Sequence, residues 1–440
     1  MSNLQIEYRA PEALKPRPGN PRTHSRKQIR QIAASIKRFG FVNPVLIDDD
    51  GFLIAGHGRI EAAKSLDLET VPTVRLSGMT EAEIRAYVIA DNRLAELAGW
   101  DDALLRTEFL YLDTLGIEID PTVTGFELLE IDILLTDNAA GEEPDPADKP
   151  PEIDPTQPIV TQPQDLWILG DHRLFCGDAT LRDSYRTLMD GETARMVFTD
   201  PPYNVPIGGH VSGLGKVQHR EFVMATGEMD DGAYGDFLRA FMGGAIDSST
   251  DGALHYICID WRHVYDVIAA GRDLYTDLKN ICVWNKSNGG MGSLYRSKHE
   301  LVVVFKAGTA AHVNNVRLGV HGRNRTNVWD YPGMTSPGAE RDASLALHPT
   351  VKPVALVADA ILDASSRGDI VLDPFAGSGT TILAAERTGR RCFALELDRR
   401  YVDVCVQRFQ QLTGEAAVNA ATGRTFDESA EDLAEMLGAA

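Results

Sequence analysis

The 440-residue chain is poor in cysteine, has no long apolar run and is short of basic side chains. Its five cysteines are Cys176, Cys258, Cys282, Cys392 and Cys405, an odd number with no C-x-x-C spacing. That pattern excludes a disulfide framework and a cysteine zinc site. Cysteines inside apolar runs act as small hydrophobes. No apolar stretch approaches the roughly 18 residues of a membrane span, and the N-terminus has no signal-peptide pattern. A cytoplasmic protein without membrane contact is the expectation. The formal charge of −21 sits poorly with a nucleic-acid partner. Its distribution is more favourable. Between residues 286 and 325, seven Lys or Arg accompany the single acid Glu300, while acids gather in 137–154 and after Glu415.

What the chain does have is two strand-end motifs. The apolar run 194–198 reads as a buried strand and leads into Thr199-Asp200-Pro201-Pro202-Tyr203. Two prolines cannot donate to a ladder, so the strand stops there. The backbone at that point is stiff and rich in carbonyls. Asp200 adds acceptor oxygens and Tyr203 a flat face, a combination that suits a planar group carrying an NH2 donor, such as a nucleobase. Downstream, the short strand 369–372 leads into Asp373-Pro374-Phe375-Ala376-Gly377-Ser378-Gly379-Thr380-Thr381 and a helix over 382–387. Gly377 and Gly379 allow close backbone approach at a helix N-terminus. A second strand, 392–395, ends in Glu396, where an acid catches a ribose hydroxyl. Strand, glycine turn, helix, strand and terminal acid together point to a nucleoside-bearing cofactor.

These two stretches resemble the amino-methyltransferases of DNA, whose catalytic motif is Asp/Asn/Ser-Pro-Pro-Tyr/Phe and whose cofactor motif is Phe-x-Gly-x-Gly. The catalytic motif comes first, the order of the β group. Gly177-Asp178 and His348-Pro349-Thr350-Val351-Lys352-Pro353 extend the resemblance to about 164–412. It implies an α/β fold: a Rossmann-like sheet with helices on both faces. It also implies S-adenosylmethionine as methyl donor, with no metal required, and double-stranded DNA as substrate. Asp200, Pro201, Pro202 and Tyr203 would be catalytic. Asp178, Lys352, Asp373, Phe375, Gly377, Ser378, Gly379, Thr380 and Glu396 would line the cofactor site, with Asp178 against the adenine ring. An Asp in the first motif position fits adenine N6, with cytosine N4 as the alternative. No cysteine follows a proline, so the Pro-Cys nucleophile of cytosine-C5 enzymes is absent. Target recognition falls at about 308–347. Lys286, Arg317, Arg323 and Arg325 are the candidate DNA contacts, because Arg reads guanine edges and cations also hold phosphates. The polar glycine-rich loop 204–217 is a candidate flap over the site.

A chain of this length exceeds one ordinary core. Residues 1–137 carry signals for a small α+β domain. Ser25 and Gly40 bracket a helix, 45–54 reads as a hairpin, and Thr80 with Glu83 forms a capping box. Asn20-Pro21-Arg22, Gly40-Phe41-Val42-Asn43-Pro44-Val45 and Gly56-His57-Gly58-Arg59 resemble the N-terminal domain of ParB-like and sulfiredoxin proteins. Sulfiredoxin chemistry needs a cysteine, and none precedes Cys176. In ParB proteins the last segment is usually Gly-Glu-Arg-Arg and binds nucleotide phosphates. Only Gly56 and Arg59 keep that pattern here, leaving Arg59 as the candidate phosphate ligand. A non-catalytic nucleotide- or DNA-binding regulator is therefore the rival reading. Residues 138–163, rich in Pro, Glu and Asp, read as a solvated linker. A methyltransferase domain spans 164–414, and an acidic tail fills 415–440. A homodimer is left open.

Overall fold

The computed structural model describes residues 4–18, 20–114, 120–136, 146–148, 157–204, 227–287, 289, 294–316, 325–333 and 352–438. The chain divides after Asp137 into two compact units.

The first unit runs β1 (Ile6–Arg9), α1 (Arg26–Phe39), β2 (Val45–Ile47), β3 (Leu53–Ala55), α2 (His57–Ser65), β4 (Val71–Arg75), α3 (Glu81–Glu96), α4 (Asp102–Thr114) and α5 (Leu128–Thr136). Its sheet has the order β1-β4-β2-β3. Ser25 Oγ accepts from Gln28 N to start α1, and the reciprocal Thr80 and Glu83 bonds start α3, as the sequence predicts. Gly56 is the sharpest local requirement. It sits at φ 98°, and a Cβ there would lie 2.6 Å from Val45 Cγ1.

The second unit contains β5 (Leu166–Leu169), β6 (His172–Cys176), α6 (Arg182–Met189), β7 (Ala194–Thr199), α7 (Asp231–Asp247), β8 (Ser249–Ile259), α8 (Val264–Arg272), β9 (Asp277–Asn285), β10 (His299–Lys306) and β11 (Val328–Asp330). It continues with α9 (Val354–Ala364), β12 (Ile370–Asp373), α10 (Thr380–Arg387), β13 (Arg391–Glu396), α11 (Arg399–Thr413), β14 (Val418–Asn419) and α12 (Phe426–Gly438). The ten strands form one sheet in the order β11-β9-β10-β8-β7-β12-β13-β6-β5-β14. Alternate residues of the central strands serve opposite faces, as a period of two requires. Met196 and Phe198 pack with Val354, Ile382 and Val402 from α9, α10 and α11. Val197 packs on the other face with Leu188, Phe241 and Val267 from α6, α7 and α8. This is the expected α/β fold, with both sheet faces covered.

Strand order positions the site. From β7 the chain moves outward to parallel β8; from β12 it moves the other way to parallel β13; and β7 and β12 are themselves parallel neighbours. Crevices for ligands open at such a reversal, beyond the strands' carboxyl ends. Asp200 follows β7, and the glycine turn follows β12.

Two expectations are corrected here. Described parts of the linker belong to the second unit. Asp148 Oδ1 accepts from Val354 N, and Val160 N and Thr161 N both donate to the Asp403 carboxylate. The acidic tail is also built in. β14 pairs antiparallel with β5, and Phe426 meets Trp167 edge-on at 5.4 Å. Both rings are buried. Phe426→Ala should therefore cost about 3–5 kcal/mol by opening a cavity beside Trp167. The test is the urea midpoint of the full chain, and a midpoint equal to the parent's would place Phe426 outside the core.

Candidate active site

The two strand-end motifs meet through one buried carboxylate. Asp373 Oδ1 accepts from Thr199 Oγ1 at 2.9 Å and from Phe375 N at 3.0 Å, and Oδ2 accepts from Thr381 Oγ1 at 2.6 Å. Asp373 thus ties the catalytic strand to the glycine turn and to α10, with its oxygens taken up by the fold instead of facing a ligand. Burial pushes its carboxyl up to about 6, against the pull of those three donors.

Beyond Asp373, Gly377 and Gly379 take φ of 52° and 86°. A Cβ on Gly379 would lie 3.0 Å from Cys405 Sγ. A Cβ on Gly377 would meet no atom within 4 Å, so that residue faces open space. Glu396, at the end of β13, closes the turn: Oε2 accepts from Gly377 N and Oε1 from Asp398 N, each at 2.8 Å. Burial outweighs both donors and pushes its carboxyl up to about 7. Gly177 N donates to Glu396 O at 3.0 Å, which brings Asp178 to the same edge. Asp178 Oδ1 accepts from Thr180 N and Oγ1 at 2.8 and 2.7 Å. The Phe375 ring leans on Phe237 and Phe241.

The side chains of Ser378 and Thr380 are engaged by the fold. Their hydroxyls lie 2.8 and 3.4 Å from Arg408 Nη1, which also donates to Ser378 O at 2.6 Å. They are buried, and so is Arg408 on α11, which holds the turn from behind. Sequence reasoning missed Arg408; an arginine among the apolar positions of a helix, next to Phe409, was the available signal.

The polar side chains of the Asp-Pro-Pro-Tyr motif are both partnered. Tyr203 OH donates to Asp200 Oδ1, and Lys352 Nζ donates to Oδ2, both at 2.5 Å. Tyr234 OH donates to Pro202 O at 3.2 Å and steadies the proline pair. Pro201 is buried beneath it. Lys352, expected against the cofactor, instead lies between two carboxylates: its Nζ is also 2.9 Å from Glu300 Oε2. Only 4% of Lys352 is exposed. Burial works against its charge, but Asp200 and Glu300 outweigh that and raise the ammonium's pKa above the ordinary range. At Glu300 burial is outweighed by Lys352 and Lys286, which bring the carboxyl down to about 2. At Asp200 burial, aided by the charge of Glu300, outweighs the single ammonium and raises the carboxyl. Burial and the neighbouring Asp200 keep the Tyr203 phenol protonated, so its hydroxyl is the donor.

Two of the proposed DNA contacts are corrected by these ion pairs. Lys286 donates to Glu300 Oε1 with its ammonium 4.4 Å from the Trp284 ring centre. Arg325 Nη1 donates to Asp359 Oδ2 at 2.7 Å, and its Nε lies 2.9 Å from Asp363 Oδ2. Burial opposes the charge of Arg325, but those two acids raise its pKa further. Both cations are held in ion pairs within the second unit. Arg317 and Arg323, most of the 204–217 loop and His348 to Val351 of the extended motif lie outside the described residues. In the first unit Arg59 is partly buried in the first turn of α2, and its Nη1 donates to Asn43 O at 2.9 Å. Among the described residues no cluster of three or more His, Cys, Asp or Glu is placed to hold a metal, and no helix is long and apolar enough to cross a membrane.

Comparison with known proteins gives matches for both units. Residues 194–407 match the N6_N4_Mtase family, described as DNA methylase, and residues 2–92 match the ParB N-terminal domain. The ParB-like nuclease domain-containing protein YnaK of Escherichia coli (strain K12) is 50% identical over 80 residues, which are 18% of this chain and 92% of that protein. The Type II methyltransferase M.ScaI of Streptomyces caespitosus is 36% identical over 89 residues, 20% of this chain. The match spans only 29% of that protein's length. Among solved structures, a putative DNA modification methylase from Thermus thermophilus, complexed with S-adenosyl-L-methionine, is 24% identical. That match covers 56% of this chain and 97% of the other, at a TM-score of 0.41.

The ion pairs of Arg325 make a test. Arg325→Ala removes a largely buried cation from between Asp359 and Asp363, and should cost about 3–5 kcal/mol of stability. Thermal unfolding of the purified variant measures this; an unchanged midpoint together with weakened DNA binding would return Arg325 to the DNA-contact role.

Proposed function

We propose that this chain, which belongs to the ParB-like family through its first unit and carries a DNA methylase domain in its second, methylates the N6 amine of adenine in DNA. The second unit is a DNA methyltransferase of the N6/N4 type. Its methyl donor is S-adenosylmethionine, which supplies a methyl group already activated on a sulfonium. The residues present fit that molecule: Gly377 leaves open space at the glycine turn, and Glu396 stands at the next strand end. The adenine reading rests on Asp200 as the first residue of its motif. A carboxylate can accept a hydrogen bond from an exocyclic amine.

The observation that carries the reading is the bond from Thr199 Oγ1 to Asp373 Oδ1, which sets the Asp-Pro-Pro-Tyr turn beside the glycine turn. A base inside a duplex cannot reach Asp200, so the target nucleotide leaves the stack, at a cost on the order of a few kcal/mol. Tyr203 stacks on the extruded ring. Asp200 Oδ2, once released by Lys352, and the Pro201 carbonyl accept from the amine. These bonds aim nitrogen lone-pair density at the methyl group, and catalysis is positioning plus charge stabilisation. The same edge offers a surface for the duplex. β8 runs into exposed Trp261, with the Arg262 guanidinium 5.0 Å from its ring centre, and β10 is preceded by exposed Tyr295 and Arg296. Exposed aromatics and cations together suit stacked bases and phosphates. For Arg59 we propose a nucleotide phosphate as the ligand, at the start of α2.

Digesting treated DNA to nucleosides and weighing the products tests the target. N6-methyladenine is expected; N4-methylcytosine would overturn the adenine assignment and keep the enzyme class. Asp200→Ala should abolish transfer while cofactor affinity stays within a few-fold, whereas Gly377→Val should abolish cofactor binding. Full activity in the first variant, or normal binding in the second, would sink the corresponding role.

The acidity of Glu396 adds a pH test. The ionised carboxylate is the acceptor for ribose hydroxyls, and it is protonated below about 7. Cofactor affinity should therefore rise about tenfold between pH 6 and 8, following the ionised fraction. Glu396→Gln should bind weakly and without that slope. A parent affinity flat across the range would remove Glu396 from the cofactor site.

A further inference from the structure

We propose that Glu300 is a positioning residue of this site: its carboxylate is the alternative seat for the Lys352 ammonium when a target amine takes Asp200 Oδ2. The inference rests on the methyl-transfer reading above.

Four charges alternate across the strand ends: Lys286, Glu300, Lys352 and Asp200. Glu300 opposes Trp284 across the antiparallel pair of β10 and β9. One of its oxygens takes Lys286 Nζ, and the other lies 2.9 Å from Lys352 Nζ. The Trp284 ring centre lies 4.4 Å from the first ammonium and 5.8 Å from the second. The set sums to zero charge, and that balance is what makes it tolerable under burial. Lys352 is held at 2.5 Å by Asp200 and at 2.9 Å by Glu300, so its ammonium is already shared between two acceptors. A target amine needs the oxygen that Lys352 occupies. With Glu300 present, the ammonium can yield that oxygen without losing a partner. Without Glu300, Asp200 is its only counter-ion, and the amine must compete with a buried ion pair.

The groups facing Asp200 are Lys352, Glu300, Tyr203, Cys258 on β8 and Asp373 on β12. Of these, Glu300 brings a negative charge that raises the Asp200 carboxyl, and Lys352 lowers it. Removing the charge of Glu300 takes away a raising influence and leaves Lys352 wholly to Asp200. The Asp200 carboxyl then ionises at lower pH. Because transfer uses the ionised form, the acid limb of the kcat profile moves down. A residue that only filled space would leave that limb in place.

Glu300→Gln keeps the shape and removes the charge. Its kcat should fall by about ten- to a hundredfold, the range expected when a reacting group is mispositioned. Its affinity for S-adenosylmethionine should not change, and its acid limb should lie below the parent's. Glu300→Asp, which restores the charge, should restore the limb. A second arm does not use activity. Lys352 acetylation by acetic anhydride, followed by mass spectrometry of the full-length folded protein, should be faster in Glu300→Gln, because one of two carboxylates holding the ammonium charged is gone. Parent-like kcat with an unmoved limb, or an unchanged acetylation rate, overturns the proposal. If Glu300→Gln does not fold, Glu300→Ala, which also removes the charge, decides by the same two readings. A parent protein that transfers no methyl to DNA would sink the functional reading, and the acetylation rates would still judge the placement of Lys352.

Discussion

A carboxylate buried at the end of a strand has to be compensated, and the form of that compensation shapes the centre of this molecule. Asp200 is met by an ammonium and a phenol, and the ammonium in turn by a second carboxylate. Each group alone would carry a desolvation penalty that the fold could not absorb. With Lys286 on the far side of Glu300 the set is neutral, and it is backed by the Trp284 indole. The Asp200 oxygens are already making good bonds, so any new donor at this site must exchange with one of them.

The neighbouring glycine turn follows a different rule. There, backbone does most of the work, and side chains hold the backbone in place. Asp373, Arg408 and Glu396 each bond the turn that contains Gly377 and Gly379 or the helix start that follows it. Two buried polar groups and the half-buried Glu396 fix one short loop, and what they leave open is the face of Gly377. Rigid support of this kind keeps a reacting group within the fraction of an ångström that transfer chemistry tolerates.

Much of this was legible in the sequence because it is local. Apolar runs of strand length, helix caps at Ser25 and Thr80 and the two strand-end motifs each depend on neighbours a few residues away. What was not legible depends on distant partners. A lysine such as Lys286 looks the same in a chain whether it meets a phosphate or Glu300. Arg325 could not be separated from a base reader until Asp359 and Asp363 were placed on α9 beside it. Glu300 did stand out, as the one acid in a basic stretch, but its meaning required β9, β10 and Lys352 to converge. The two-residue strand β14 was too short to carry a periodic signal, and the acids around it masked its fit against β5.

The end of β7 and the end of β12 are joined by a bond between residues 174 positions apart. During synthesis β7 must therefore wait, its apolar faces exposed, while β8 to β11 and α9 are made. Only then does the strand that belongs beside it emerge. Contacts of such separation are slow to form, because a long loop must close before any of them is made. The inner edge of β7, its N–H and C=O groups unpaired until β12 emerges, is thus a place where a nascent chain can pair with the wrong strand.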